Sequence, residues 1–347
     1  MNKYAAILLF LAFQIPAFSQ EGQFKTACIG FYNFENLFDT LDSPDTEDTE
    51  FTPGGIRHWV GAMYREKLGN LARVVSELGT ELTPDGVAIL GVAEVENQTV
   101  LEDFVKQPAI AARHYQIVHY ESPDFRGIDV ALLYQAKYFK VTGSRPVPLV
   151  LTSAGGSRTF TRDMLYVTGD LDGEKIHILV NHWPSRRGGE KATQPYREAG
   201  AKLCKNIRDS LLLTDPAARV LLMGDLNDDP VSPSVKNVLA CKTKTKDVRQ
   251  GDFFNPWYAF YKNGTGTLAY RDAWSLFDQV ILSAGLVNNP GGWHYYKAQV
   301  FSRPYLIQKT GQYKGYPFRT FDFDNYIAGY SDHFPVYVFL LKSLERP

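Results

Sequence analysis

The stretch from Arg219 to Pro230, R-V-L-L-M-G-D-L-N-D-D-P, limits what this chain can fold into more than any other. An unbroken apolar run closed by Gly224 and Pro230 predicts a strand buried on both faces, so its sheet needs a layer on either side. Asp225 and Asn227 stand at its C-terminal end with Leu226 between them. Strand alternation would put both on one side of the pleat. A buried strand that ends in a carboxylate and an amide must offer them partners there. Asp brings a fixed negative charge and Asn a neutral donor, a pair suited to aiming a water and holding an anionic oxygen. Turn formation is the competing account, because Gly, Asp, Asn and Pro all favour turns.

The arrangement recurs along the chain. Phe24 to Phe34 reads as a strand that runs into F-Y-N-F-E-N, with Asn33 and Glu35 two apart on one face at its exit. After the Pro84-Asp85 turn, G-V-A-I-L-G-V-A-E-V-E-N is a second buried strand, and it reaches Glu94. A carboxylate there needs a metal ion or an arginine, because leaving it unpaired costs several kcal/mol. Glu96 falls in the loop beyond. Strand 128–134 is preceded by Arg126 in a loop placed to touch an anionic substrate, and Asp129 inside it points inward. E-K-I-H-I-L-V-N-H-W-P, residues 174 to 184, stops at Asn181-His182 and leads into the cationic turn S-R-R-G-G with Arg186 and Arg187. A histidine beside two arginines and two glycines suits a phosphate or a leaving group. Asp278 enters the β-rich run of F-D-Q-V-I-L-S, and Asp332 and His333 precede the last buried strand in G-Y-S-D-H-F-P-V-Y-V-F-L-L.

Between these strands lie helices. Tyr64, Leu68, Leu71, Val75 and Leu78 recur at helical spacing over Trp59 to Leu78; residues 97–113 and 190–213 are also read as helical. Further strands are expected at Tyr115–Tyr120, 138–150 and 158–169, the last starting with the basic R-T-F-T-R stretch of Arg158 and Arg162. Residues 39–56 are acidic and rich in Thr and Pro, which predicts a solvated surface loop without calcium-loop spacing. Strands interleaved with helices imply sheets with helices outside and loops gathered on one rim.

The ends and the bulk add context. Lys3, the apolar run Ala5 to Phe13 and Ala17-Phe18-Ser19 form a signal-peptide pattern over residues 1–19, which leaves 20–347 as a single domain. The mature protein is then expected to be exported, periplasmic or secreted, with no membrane span. Net charge is −1 from 37 basic and 38 acidic residues, and loss of Lys3 makes it 36 − 38 = −2. Any polyanion-binding surface is therefore local. Of the three cysteines, Cys28 reads as a buried small hydrophobe in the first strand, and a Cys204–Cys241 disulfide stays open.

F-Y-N-F-E-N, G-V-A-E-V-E-N, N-H-W-P-S-R, M-G-D-L-N-D-D-P, F-D-Q-V-I-L-S and Y-S-D-H-F-P-V come in one order over residues about 30 to 340. In that order the chain resembles the endonuclease/exonuclease/phosphatase superfamily, the deoxyribonuclease I-like fold, and most of all its exported bacterial nuclease-like branch. The resemblance implies an α/β four-layered sandwich, two central β-sheets flanked by helices, and metal-dependent phosphoester hydrolysis. It implies Glu94 as the principal Mg²⁺ ligand, helped by Asn33, Glu35 and Asp332, with Mn²⁺ and Ca²⁺ open as alternatives. It further implies that Asp225 deprotonates the attacking water, Asn227 stabilises the developing oxyanion, and His333, fixed by Asp278, sits at the scissile phosphate. His182 is implied near the leaving group, with Asp129 as its support. Arg126 and Arg186 are the expected substrate contacts. The expected partner is nucleic acid or another phosphoester, met by a monomer. A phosphomonoesterase or a sphingomyelinase-like phospholipid phosphodiesterase is the alternative. A binding module that had lost catalysis would show gaps among these residues, and none is found.

Overall fold

The computed structural model describes residues 24–153 and 155–344; the expected signal peptide lies outside them. In chain order the strands that matter are β1 (Phe24–Leu37), β2 (Ile89–Val95), β3 (Tyr115–His119), β4 (Asp129–Gln135), β5 (Phe139–Val147), β6 (Met164–Leu171) and β7 (Glu174–His182). They continue with β8 (Val220–Asp225), β9 (Phe253–Phe254), β10 (Leu268–Tyr270), β11 (Ala273–Ser275), β12 (Asp278–Ser283), β13 (His294–Val300) and β14 (Val336–Ser343). One six-stranded sheet has the order β13-β14-β1-β2-β4-β3, the other β9-β12-β8-β7-β6-β5. β10 and β11 form a separate hairpin.

The two sheets face each other. Ile29, Phe31 and Val92 of the first and Val180, Leu221, Met223 and Val280 of the second lie in one buried core. The approach is close: a Cβ on Gly91 would come within 2.6 Å of the Met223 sulfur. Every residue of β8 is buried, as its apolar run requires. α1 (Gly61–Glu77) and α2 (Gln98–Val105) cover the first sheet, where Phe104 packs on Phe34 with ring centres 4.8 Å apart. α3 (Glu190–Thr214) covers the second, and its Ala201 and Cys204 pack with Leu179, Val220 and Leu222. Helix, sheet, sheet and helix make the four layers that the resemblance implied.

The differences from sequence expectation are local. The helix expected over 97–113 stops at Val105, and a short 3₁₀ turn follows at Ala111–Arg113. Pro108 between them disfavours helical backbone at the residue before it and can donate no hydrogen bond. The strand expected over 158–169 is two pieces, Arg158–Thr159 and Met164–Leu171, because Arg162 turns inward between them. The 39–56 loop is not wholly solvated: Asp48 and Phe51 are buried, and Phe51 stacks on Phe38 at 4.4 Å. All three cysteines are free thiols, and the Cys204 Sγ lies 3.2 Å from the Asn181 side-chain oxygen.

Candidate active site

Strand direction assembles the site. β1 and β2 run parallel, as do β7 and β8, so Asn33, Glu94, His182 and Asp225 all arrive at one rim. Asp225 is in register with His182 on one side and with Asp278 of antiparallel β12 on the other. His333 comes to the same rim because it immediately precedes β14, which runs antiparallel to β1.

The backbone leaves ordinary strand geometry where these side chains project. Glu35, Asn36, Glu94 and Asn227 have φ of 49°, 52°, 59° and 48°, the left-handed region that non-glycine residues seldom occupy. At Glu94 this bulges β2, and its register to β4 shifts between Ala93 and Val95. Such strain gathers where a fold over-determines the position of a group. It also breaks the simple alternation expected of the pairs Asn33/Glu35 and Asp225/Asn227.

Asn33 is the strap of the cluster. Its Nδ2 donates to Glu94 Oε1 at 3.3 Å and to Asp225 Oδ2 at 3.2 Å, joining the two sheets. Its Oδ1 accepts the Glu35 N–H at 2.8 Å, which fixes the amide orientation and uses the oxygen expected to face a metal. Asn36 N–H donates to Glu94 Oε2 at 3.0 Å, so Oε1 is the Glu94 oxygen left toward the cluster.

Glu35 faces away from Glu94. Its Oε2 accepts Thr320 N–H at 2.7 Å, while buried Lys67 of α1 and Arg319 stand 4.0 Å and 3.9 Å from its carboxylate. Burial, then the Asp332 charge, push its carboxyl up to about 7 against the pull of Lys67 and Arg319. Glu35 therefore ties the F-Y-N-F-E-N exit to the 319–320 segment and is not placed as a metal ligand. Asp332 is likewise engaged: Arg319 donates to it at 2.7 Å.

The two histidines are set in opposite charge states. Burial, then Arg162, Arg126 and His333, hold His182 well below its ordinary value, so it is neutral. Its Nε2 lies 3.7 Å from Glu94 Oε1 and 3.6 Å from Asp225 Oδ2. Burial alone would depress His333, but Asp278, hydrogen-bonded to its Nδ1 at 2.7 Å, and Asp225 raise it well above that value. Its Nε2 points to Asp225 Oδ2 at 3.9 Å. A pair of titratable groups driven apart in this way is a signature of acid–base chemistry. Asp225 itself is pushed up to about 7, first by burial and then by Asp278, against the pull of His333.

Asn227 departs from its expected part. Its N–H donates to Asp225 Oδ1 at 2.9 Å and its side-chain amide to the Trp183 carbonyl at 2.9 Å, so it aims Asp225 and braces the His182 strand exit. Arg186 is spent on the same brace: Nε donates to the Asn227 carbonyl at 2.9 Å, and the remaining nitrogens meet Asp228, Asp229 and Glu190. Arg126 is half-buried, with Nε 3.7 Å from Asp124. Asp129 does not support His182. It pairs with His119 at 3.0 Å and accepts Ser122 N–H at 2.9 Å.

Arg162, Asp124, Lys67 and Arg319 were not singled out as site residues. Arg162 bonds Asp124 at 2.9 Å and the Trp183 carbonyl at 2.9 Å. Lys67 carried a usable signal: three residues after Tyr64 and four before Leu71, it lies on the apolar face of its helix.

Ligand atoms of Glu94, His182 and Asp225 all lie within 4.8 Å of one another. Two carboxylates converge there, tied by one neutral amide, and among the described residues His333 is the one cationic side chain within 4 Å of Asp225. That donor set fits a hard divalent cation with oxygen ligands.

A family model described as the endonuclease/exonuclease/phosphatase family matches residues 28–342. No curated protein matches the sequence. Among solved structures, an endonuclease/exonuclease/phosphatase family protein from Bacteroides thetaiotaomicron superposes with TM-score 0.54 at 15% identity, covering 94% of this chain and 98% of that one. TDP2 of D. rerio, solved with a single-strand DNA product, gives 0.53 at 14%, covering 91% and 98%. A mannosyl-6-phosphatase from B. thetaiotaomicron gives 0.53 at 15%, covering 90% and 99%. At these identities the structures share the fold.

Proposed function

The chain belongs to the endonuclease/exonuclease/phosphatase family, and from that premise we propose that it is an exported, Mg²⁺-dependent phosphodiester hydrolase, a nuclease. The observation that carries this reading is the meeting of Asn33, Glu94, His182, Asp225 and His333 at one rim, from strands far apart in sequence. The N-terminal pattern supports export, and the single-strand DNA held by one structural neighbour supports a nucleic-acid substrate.

Glu94 would hold the cation, which when bound would polarise a phosphoryl oxygen and lower the pKa of water. Asp225, aimed by the Asn227 N–H, takes the proton of the attacking water. His333, kept charged by Asp278, sets a positive charge against the phosphoryl oxygens, where charge develops in the transition state. Neutral His182 offers an Nε2–H from the opposite side of Asp225 and can donate to a phosphoryl or leaving oxygen without adding charge. Asn33 fixes the spacing of the two carboxylates.

The test is purified protein with plasmid, RNA, bis-p-nitrophenyl phosphate and p-nitrophenyl phosphate, with and without EDTA. Diesters are expected to be cut, EDTA to abolish cutting and Mg²⁺ to restore it. Glu94→Gln and Asp225→Asn are each expected to lose about 10³-fold or more in turnover. Near-native turnover by either variant would overturn the mechanism. The second reading is a phosphomonoesterase, favoured by the mannosyl-6-phosphatase neighbour and by the absence of a basic excess. Release from the monoester alone would promote it.

A further inference from the structure

Beside the cluster the surface sinks into a groove of about 580 Å³ that runs from Asp332 and Arg319 to the S-R-R-G-G turn. Asp332 joins it to the chemistry, since its Oδ1 lies 3.8 Å from Nε2 of His333. One wall is the β10–β11 hairpin and the other is the segment around residues 313–319. The walls are laced together: the Tyr316 hydroxyl donates to Asp272 Oδ1 at 2.7 Å and accepts the Asp272 N–H at 2.6 Å. Trp274 of the hairpin stacks on Phe334, next to His333, with centroids 6.0 Å apart and planes at 18°. A groove laced in this way is already formed before a ligand arrives, which spares the ligand an ordering cost.

Its lining is chemically specific. Tyr270 on the hairpin is 67% exposed, and the half-buried Tyr313 on the facing wall packs on Tyr316 at 5.8 Å. A guanidinium stands over each ring, Arg271 5.2 Å from the Tyr270 centroid and Arg319 5.4 Å from the Tyr313 centroid, and the exposed remainder of the two rings forms a stacking platform. Arg319 is occupied by Asp332, whereas exposed Arg187 makes no ion pair among the described residues. The groove thus offers aromatic faces and one uncommitted cation beside a phosphoester site. A volume of this order takes one small-molecule-sized unit.

Resting on the hydrolase reading above, we propose that this groove is the subsite for one unpaired nucleoside of the substrate. Its base lies against Tyr270 and Tyr313, and Arg187 takes the phosphate one step from the scissile one. The substrate class is then single-stranded nucleic acid or short oligonucleotides, because a paired base would first have to be unstacked and flipped out of its duplex.

Calorimetric titration of the full, Mg²⁺-supplemented protein tests this with inorganic phosphate, thymidine 5′-monophosphate, thymidine 3′,5′-bisphosphate and mannose 6-phosphate. The monophosphate is expected to bind about tenfold tighter than phosphate, the bisphosphate tighter still, and mannose 6-phosphate about as phosphate does. Tyr270→Ala, on an exposed residue that endangers no core, and Tyr313→Ala each lower nucleotide affinity about tenfold. Arg187→Ala removes the bisphosphate advantage. Nucleotides binding no tighter than phosphate, mannose 6-phosphate matching them, or tyrosine variants indistinguishable from the parent would each overturn the proposal. Turnover without nucleotide preference sinks the groove and spares the reaction; nucleotide binding without turnover of any ester does the reverse.

Discussion

Gly224→Ala is the sharpest perturbation available, because one close backbone approach dominates its cost, added to a φ of +157° that residues with a Cβ rarely adopt. β7 and β8 are parallel neighbours, with Gly224 opposite Asn181. A Cβ added at Gly224 would stand 2.2 Å from the Asn181 carbonyl oxygen and 2.8 Å from its carbon. Both atoms are backbone of a central strand, so no side chain can swing away. Relief requires β7 and β8 to part by most of an ångström, at a cost of about 3 kcal/mol or more. For a domain of this size that is a fall in Tm of roughly 6 °C. The same parting draws His182 from Asp225 Oδ2, now 3.6 Å apart, and a 1 Å misplacement in a catalytic cluster costs about 100-fold in rate. Gly173→Ala is the control. Its φ is +81° and nothing lies within 4 Å of the added carbon, so it carries backbone strain alone, about 1 kcal/mol. Thermal unfolding by circular dichroism and diester turnover would be read on both variants. If Gly224→Ala melts within about 2 °C of Gly173→Ala and keeps more than half the parental turnover, close backbone apposition does not set the geometry of the site.

Other perturbations probe other parts of the cluster. Lys67→Met leaves Glu35 buried with only Arg319 and the Thr320 N–H, and should cost about 3–5 kcal/mol by chemical denaturation; Lys67→Met with Glu35→Gln should recover at least half, and no recovery would mean that the two charges do not act as a pair. Glu96 accepts Asp39 N–H at 2.6 Å, and burial, then the Asp39 charge, raise its carboxyl to about 7. Because its folded value lies above the unfolded one, its favourable contribution is complete below about pH 4.5 and is lost as pH rises through about 7. Glu96→Gln should therefore match the parent near pH 4 and exceed it by up to about 3 kcal/mol at pH 8, and a pH-independent difference in denaturant midpoints would refute this.

Much of this was legible in the sequence because burial and polarity conflict so visibly. Apolar runs that end in Glu94, His182 and Asp225, or that begin at Asp278, announce both the strands and the rim, since a carboxylate on a buried strand demands a partner there. Direction beyond the strand end was not legible. Period-2 reasoning puts Glu35 beside Asn33 and Asn227 beside Asp225, but left-handed backbone at Glu35 and Asn227 turns each toward a different partner. No local pattern marks that turn, because residues distant in the chain impose it: Thr320 for Glu35 and Trp183 for Asn227. Arg186 looked free for the same reason. The acids that claim it, Asp228 and Asp229, belong to the loop after β8, and only tertiary folding brings them to the S-R-R-G-G turn.

The place of β14 has a consequence for the order in which the rim is completed. This last strand lies inside its sheet, between β13 and β1, and pairs Ser343 with Phe24. His333 arrives with it, so a ribosome that has not passed this point has made Glu94, His182 and Asp225 but not the cation at His333 or the strand that seats β1. Long-range pairing of this kind forms late and slowly. The rim is therefore complete only once β14 has paired with β1 and β13, and a cut that freed β14 would take His333 away from Asp225.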